Sequence, residues 1–305
     1  MLSYLVFSLT IGGIYALLAL ALNLAWGGAG LVNLGLAGFF GIGAYATALS
    51  TGAGLPVAVG LAVAMVAGVL AGFAVTGMTL RLRDDYLAIV TLGFGEIVRL
   101  VALNERWLTK GADGISGIAA PGKAALGIAG FAWAWCIGIT LLVVAVWWLL
   151  RRLDAGPFGR ALRAVREDQE LAAFAGKAVL RLKFQAFAIS AAIAALAGAL
   201  YAHSQSYISP DHFQPLITIY IFLAVTAGGL GRPLGAVLGA YAVVVFLEGT
   251  RFLAAEVPGI EPVQVAALRE ALVGLSLLLV LHLRPHGVLP ERIPPAPPTG
   301  PKVSA

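Results

Sequence analysis

The chain has 305 residues, of which 60% are hydrophobic and only 11% are charged. A water-soluble domain carries about 25% charged residues, so this chain cannot hide its apolar surface in a soluble core. Its net charge of +5 comes from basic residues beside apolar segments rather than from one basic face, which argues against nucleic-acid binding. The composition therefore predicts an all-α polytopic membrane protein.

The first two apolar segments differ in their regularity. Residues 1–26 open without a basic residue, so we predict a retained first span with its amino terminus outside rather than a signal peptide. Residues 30–50 are rich in glycine, which favours an irregular or partly re-entrant second span, although close helix packing explains the same glycines. An irregular backbone at membrane depth lines a cavity, so residues 27–45 are a candidate pathway wall. The candidate residues there are Asn33, Gly38 and Gly41.

Small residues recur at every fourth position in three segments, of which the first is the third predicted span, residues 55–80. Such ridges let transmembrane helices approach closely, so they predict a compact bundle but do not indicate what it carries. The ridges are Gly60, Ala64, Gly68, Gly72 and Thr76; Ser190, Ala194, Gly198 and Ala202; and Gly231, Gly235 and Gly239.

The fourth predicted span, residues 84–104, contains Glu96 and Arg99. Three positions apart on a helix, the two side chains share a face and can pair, which lowers the cost of charge in lipid. Charged residues inside a membrane are candidates for a transport pathway, whereas a structural ion pair is the simpler interpretation. Both interpretations stay open at this point.

The longest polar interval, residues 151–183, follows a fifth span at 131–150 and begins with two arginines. Its dense basic residues place it in the cytoplasm. As one amphipathic helix, it would dock a soluble partner; as a solvated basic loop, it would only set the topology. The helical interpretation places Leu162, Val165 and Ala172 on one face, opposite Arg160, Arg163, Glu167 and Glu170.

Four further spans, at 184–203, 214–231, 233–252 and 265–283, complete the predicted topology. The total is about nine spans, with a range of eight to ten, an amino terminus outside and a carboxyl terminus inside. Residues 1–290 then form one transmembrane domain. The proline-rich residues 291–305 are predicted to be a disordered cytoplasmic tail.

Enzymatic motifs find no support in the sequence. Residues 117–123 have the GxxxxGK pattern of phosphate-binding loops, but they lack the following Ser or Thr, follow no predicted strand and lie in an outer loop. His282 and His286 are four positions apart, but Pro285 separates them and no glutamate follows the first as in HExxH. His203 and His212 are each interpreted as a lone interfacial histidine, so no metal site is predicted. We therefore predict a protein without catalytic activity of its own.

Specific runs of sequence occur in a recognisable order along nearly the whole chain. The segments are residues 84–101 (DDYLAIVTLGFGEIVRLV), 110–118 (KGADGISGI), 159–190, 197–213 (AGALYAHSQSYISPDHF), 227–240 (AGGLGRPLGAVLGA) and 283–290 (LRPHGVLP). Together they resemble the LivM-type permease subunit of branched-chain amino acid ABC importers. The resemblance implies a bacterial inner-membrane protein that works with a homologous second permease, two cytoplasmic ATPases and a periplasmic binding protein.

The resemblance also implies a role for the polar interval. In such importers a short coupling helix of the permease sits in a groove of the ATPase, often marked by an EAA---G pattern. A degenerate version occurs here as Glu170, Ala172, Ala173 and Gly176, and Gly176 is predicted to end the helix. The chain would bind no cofactor directly, because ATP and Mg²⁺ are used by the partner ATPases.

The implied mechanism is alternating access, with solute delivered by the binding protein to loops near residues 104–130 and 204–214. Related permeases handle branched-chain amino acids, urea, amides or aromatic acids, so the substrate stays open. An ion-coupled secondary transporter is the competing class. It would need intramembrane carboxylates at midplane, and the few present here each have an arginine nearby in sequence.

Overall fold

A computed structural model describes residues 2–79, 84–255, 262–284 and 286–291. Most of these residues are helical, and each predicted span overlaps one long helix. The helices are α1 (Leu2–Leu22), α2 (Leu36–Gly52), α3 (Val57–Thr79), α4 (Asp84–Asn104), α5 (Arg106–Thr109), α6 (Lys123–Ala155), α7 (Pro157–Glu167), α8 (Gln169–Phe174), α9 (Val179–Gln205), α10 (Pro215–Gly228), α11 (Pro233–Ala255) and α12 (Pro262–Leu283).

Short elements connect the helices. A π-helix at Asn23–Gly28 continues α1, and 3₁₀ turns lie at Gly111–Asp113 and Pro210–Phe213. Two strands of two residues each, β1 (Ile115–Ser116) and β2 (Tyr207–Ile208), pair in antiparallel fashion. This pairing fastens two loops that are about 90 residues apart in the sequence.

Six helical stretches among the described residues are long and apolar enough to cross a membrane. Helices α2 and α10 are shorter, with 17 and 14 residues. At 1.5 Å per residue they reach about 26 Å and about 21 Å, less than the hydrocarbon thickness of about 30 Å. The structure is that of an all-α polytopic membrane protein, as predicted. The six stretches are Ser3–Gly28, Val57–Thr79, Tyr86–Asn104, Ala125–Ala155, Val179–Gln205 and Pro233–Thr250.

Helices α1 and α9 form the centre of the bundle. Residues 16–22 of α1 have no exposed surface, and most of α9 is buried. The peripheral helices α3, α4 and α6 instead direct large apolar side chains outward, such as Leu70, Ile97 and Leu141, each more than 60% exposed. Lipid solvates such side chains as well as a protein core does, so an apolar exterior is stable in a membrane.

The small-residue ridges of α3 and α9 lie at helix contacts, as predicted. Gly68 of α3 faces Ala191 and Ala195 of α9. A Cβ atom on Gly198 of α9 would collide with the carbonyl oxygen of Phe40 in α2, so only glycine allows this approach. Gly231 was predicted to continue a ridge with Gly235 and Gly239, but it lies in the turn before α11 with φ +80°.

The helices alternate in direction, which gives the bundle two distinct ends. Helix α3 runs antiparallel to α9, and Phe73 lies beside Phe184. Helix α2 runs parallel to α9: Phe39 lies beside Phe187, and Thr47 lies beside His203 further along both helices. We call one end the α7 end; it contains residues 23–30, 151–183, 229–232, 284 and 286–291. The other is the β end; it contains residues 104–123 and 206–214.

Several predicted boundaries change in the structure. Helix α6 is longer than the predicted span at 131–150, with a kink at Gly127, where φ is +67°. The prediction of irregular backbone in the second segment, residues 30–50, is confirmed only for residues 30–35, because α2 is a regular helix. The predicted tail at 291–305 lies outside the described residues except for Glu291.

Candidate functional site

The polar interval at the α7 end forms two helices, so the interpretation as one continuous helix is wrong. Asp168 adopts an extended conformation (φ −155°) between α7 and α8, and its Oδ1 accepts a hydrogen bond of 2.9 Å from the Leu171 amide. An aspartate at this position caps the amino end of α8 and so favours a helix start over a continuation. Leu162, Val165 and Ala172 are nevertheless buried, as the amphipathic pattern predicts.

Gly176 ends α8, which confirms the predicted helix stop. Its φ is +76°, and its amide donates to the Ala173 carbonyl at 2.9 Å. The Lys177 amide donates to the Ala172 carbonyl at 3.0 Å. These two bonds define a Schellman motif, in which glycine takes the left-handed position without strain. The chain then turns back towards α9.

The predicted coupling residues differ in exposure. Arg160, Glu167, Glu170, Ala173 and Gly176 are exposed, and Arg163 is partly exposed. Ala172 is only 4% exposed, because its side chain points into the protein.

Two apolar side chains that the sequence analysis passed over project from α8. Leu171 is 66% exposed and Phe174 is 88% exposed. They are three positions apart, so they share one face of the helix. The sequence did contain a usable signal. Ala172 was predicted to face inward, so the other face of α8, which carries Leu171 and Phe174, had to face outward.

Two arginines of α7 hold this helix against the bundle. Arg163 forms an ion pair with Asp154 at the end of α6. Arg166 donates from Nη1 to the Gly27 carbonyl and from Nη2 to Glu291 Oε2 at 2.9 Å. Burial opposes the charge of Arg166, but its hydrogen bonds to Glu167 and Glu291 outweigh this effect and raise its pKa. Arg166 therefore remains a guanidinium at any physiological pH.

The pathway candidate Asn33 belongs to a buried cap at the amino end of α2. Its Oδ1 accepts a hydrogen bond of 3.0 Å from the Gly35 amide. Thr91 of α4 accepts from the Leu34 amide and Thr218 of α10 from the Ala37 amide. Asn33 Nδ2 is buried and has no hydrogen-bond partner among the described residues. Asn33 itself and threonines from two other helices thus accept hydrogen bonds from the backbone amides at the start of α2.

Gly38 and Gly41 lie on regular turns of α2 and pack tightly. Gly38 faces Gly95 of α4, and Gly41 faces the ring of Phe213. Both positions are buried in this structure.

Glu96 and Arg99 form the predicted ion pair on α4. Arg99 Nε lies 3.1 Å from Glu96 Oε1 and 3.0 Å from Oε2, and Nη2 lies 2.5 Å from Oε1. The Glu96 side chain is 37% exposed and the Arg99 side chain is 20% exposed. Asp211, in the turn before α10, interacts electrostatically with Arg99. The pair therefore lies near the β end and faces the loop that carries Asp211.

His203 is fully buried, so its interpretation as a lone interfacial histidine is wrong. Its Nδ1 lies 2.6 Å from the Ala119 carbonyl oxygen, and its Nε2 lies 3.0 Å from Thr47 Oγ1. Since a carbonyl only accepts, Nδ1 carries the proton and Nε2 accepts from the threonine hydroxyl. His203 thus fastens the loop before α6 to α2 and α9.

The other histidines do not form a metal site. His212 stacks edge-on with Tyr201 and Tyr207, at 5.7 Å from each ring, while His282 and His286 are exposed. Burial lowers the pKa of His212, and the nearby Asp211 only partly opposes this shift. Across the part of the chain that the structure describes, no group of three or more His, Cys, Asp or Glu residues could hold a metal ion.

The GxxxxGK pattern differs from its predicted setting. Strand β1 ends directly before Gly117, and α6 begins at Lys123, so the expectation of no preceding strand is wrong. This strand pairs only with the two residues of β2, and Ala124 still occupies the position of the Mg²⁺-binding Ser or Thr.

A bundle of apolar helices, interrupted by two short polar helices at one end, is the architecture of a multi-pass membrane protein. Residues 4–281 match the family model described as the permease component of branched-chain amino acid transport systems. The chain belongs to this family.

Curated relatives agree with this membership. The chain is 36% identical to the high-affinity branched-chain amino acid transport system permease protein LivM of Escherichia coli K12, over 93% of this chain and 70% of that protein. It is 35% identical to LivM of Salmonella typhimurium LT2, over 92% and 69%. A probable branched-chain amino acid transport permease protein LivM of Methanocaldococcus jannaschii is 30% identical over 95% and 94%. No solved structure matches the chain.

Proposed function

We propose that this chain is the membrane-spanning permease subunit of an ATP-driven importer of branched-chain amino acids. The observation that carries the proposal is the family match over residues 4–281, joined to relatives named for this transport. The chain would bind no cofactor itself. ATP and Mg²⁺ would act in two partner ATPases, and solute would cross between this subunit and a homologous second permease.

The topology we propose has nine spans in a bacterial inner membrane, with the amino terminus outside and the α7 end in the cytoplasm. The distribution of basic residues supports this orientation, because lysine and arginine accumulate on the cytoplasmic side. The β end carries Arg106, Lys110 and Lys123. The α7 end carries Arg151, Arg152, Arg160, Arg163, Arg166, Lys177, Arg181, Lys183, Arg232 and Arg284.

Helices α7 and α8 are the proposed docking segment for the ATPase. Leu171 and Phe174 point away from the bundle at an end that faces water in this topology, and exposed apolar anchors of this kind are typical of protein interfaces. Arg160, Glu167, Glu170 and Ala173 are exposed polar and small residues of the same two helices, and Gly176 ends the segment.

The β end is the proposed platform for a periplasmic binding protein. From there, solute would pass along α2 and α4, where Asn33, Gly38, Gly41, Glu96 and Arg99 are the proposed lining. These residues are covered or paired in this structure, so alternating access would require α2 and α4 to separate during the cycle.

Uptake by the reconstituted complex tests the proposal. The chain would be purified with the second permease and the ATPases encoded beside it, placed in proteoliposomes and supplied with its binding protein and radiolabelled leucine. We expect uptake that requires ATP and Mg²⁺ on the α7 side and is displaced by isoleucine and valine. Displacement only by urea, amides or aromatic acids would change the substrate, and uptake by the chain alone on an ion gradient would overturn the proposal.

A further inference from the structure

Arg166 connects three segments that are far apart in the sequence. From α7, its guanidinium reaches the Gly27 carbonyl, Glu291 at 2.9 Å and the adjacent Glu167 at 2.9 Å. We call Arg166, Gly27 and Glu291 the Arg166 junction. Only 20% of the Arg166 side chain and 23% of the Glu291 side chain are exposed, so the ion pair is shielded from most of the solvent.

Each partner of Arg166 is fixed to the transmembrane helices. Gly27 belongs to the π-helix that continues α1, and it packs against Gly231 so closely that a Cβ atom would lie 2.6 Å from the Gly231 nitrogen. The Gly231 amide in turn donates to Asn23 Oδ1 at 2.9 Å. Movement of Arg166 therefore acts on the inner end of α1 and on the turn before α11 together.

Glu291 is anchored through the chain that follows α12. The amides of Val288 and Leu289 donate to the carbonyls of Ala227 and Gly228, at 2.9 and 3.0 Å. Gly287 packs against Gly229, where an added side chain would collide. These contacts attach the carboxylate of Glu291 to the end of α10.

Beside the junction there is room for movement. A cavity of about 490 Å³ lies between α6, α7 and α11, and its lining includes Trp147, Arg151, Asp154, Arg163 and Arg232. A close-packed interface transmits force but does not accommodate displacement, whereas a helix beside a cavity can shift. On this side α7 contacts α6, the helix that directly precedes it, through the ion pair of Arg163 with Asp154 and the hydrogen bond from Arg160 to the Ala155 carbonyl.

We propose that Arg166 is the positioning residue through which displacement of α7 reaches α1, α10 and α11, with Glu291 as its fixed acceptor. This role rests on the proposed function, in which ATPases act on α7 and α8. A guanidinium suits it because its planar fork holds several acceptors at once in fixed directions, which a lysine ammonium does not.

The test compares Arg166→Gln, Glu291→Gln and the double variant in the reconstituted importer, with uptake and ATP hydrolysis measured per assembled complex. We expect the ATPases to remain bound and to hydrolyse ATP, while leucine taken up per ATP falls at least tenfold in each single variant. The double variant should lose no more than the worse single variant, because both changes break one connection. Arg166→Lys should recover little of the loss.

Arg152→Gln is the matched control at the same end of the bundle. Arg152 is exposed and its guanidinium lies over the Trp148 ring of its own helix, 3.8 Å from the ring centroid, so its replacement should leave the ratio of uptake to hydrolysis unchanged. If Arg166→Gln lowers the yield of complex but leaves that ratio intact, the junction is structural and the inference falls. If the ATPases do not bind even the unmodified chain, the proposed function fails instead.

Discussion

The two ends of the bundle are held together in different ways. At the α7 end, guanidinium groups join segments distant in sequence, as Arg166 does with Gly27 and Glu291. At the β end, strand pairing, the buried His203 and a cluster of rings around Phe213 and Tyr201 fasten the loops. The contacts that hold one end are therefore polar and partly hydrated, whereas those that hold the other are buried hydrogen bonds and ring contacts.

This difference indicates which end moves. The more exposed ion pair at the α7 end, Arg163 with Asp154, separates at modest cost, because water solvates both charges when they part. A buried hydrogen bond is costly to break, because it leaves a donor or acceptor without water or a partner. The α7 end is thus suited to change contacts during transport, whereas the β end is suited to present a fixed surface.

The strongest challenge to this contrast is the double substitution Leu171→Ser and Phe174→Ser. Both side chains are exposed at the α7 end, so the fold should survive. Loss of an apolar anchor typically costs about 2 kcal/mol, so loss of both corresponds to about a 1,000-fold weaker complex. Co-purification of the ATPases would measure this loss, and uptake should disappear with it.

Trp107→Ala is the control for that substitution. Trp107 is 81% exposed but lies at the β end, so its replacement should leave ATPase binding unchanged. If Trp107→Ala loses the ATPases as fully as the double serine variant does, ATPase binding is not specific to the α7 end.

Removal of the charges on α4 tests whether the β end leads into a pathway. In the double variant Glu96→Gln, Arg99→Gln no charge is left unpaired, so assembly should be normal. If the pair meets a zwitterionic solute, uptake should fall by about tenfold, an expected loss of about 1.4 kcal/mol in favourable contacts. Leucine uptake per assembled complex is the measurement, and unchanged uptake would mark the pair as structural.

His203→Ala should affect stability rather than energy coupling. The substitution leaves the Thr47 hydroxyl and the Ala119 carbonyl without their partner, at an expected cost of about 3 kcal/mol. Thermal unfolding in detergent would show a lower midpoint, while uptake per ATP in the surviving complex stays normal. Tyr207→Phe, which removes only an exposed hydrogen bond to Asp113, should change the midpoint little.

The smallest expected effect is a pH dependence at the β end. Burial lowers the pKa of His212 in the folded protein, so the unfolded chain binds its proton more readily. The contribution of His212 to stability is therefore present above the ordinary histidine pKa of about 6.5 and is lost as the pH falls below it. Unfolding midpoints between pH 7.5 and 5 should fall less steeply in His212→Phe than in the unmodified chain.

Local patterns of the sequence predicted much of this structure. The stop at Gly176, the Glu96–Arg99 pair and the inward face of Leu162, Val165 and Ala172 each depend on residues within one or two helical turns. The break at Asp168 was missed because the apolar spacing continues across it, although aspartate favours a helix start. Leu171 and Phe174 were missed because apolar residues at helical spacing are usually buried.

The sequence by itself determined the class of protein, the positions of the apolar segments and the polar interval between the fifth and sixth of them. These properties follow from composition and short-range periodicity, which do not depend on how the helices are arranged. Only the tertiary structure decided that Arg166 meets Gly27 and Glu291, residues 139 and 125 positions away. It also decided that His203 lies between α2 and the loop before α6. Such contacts depend on the packing of whole helices, and the helical period within each segment carries no information about them.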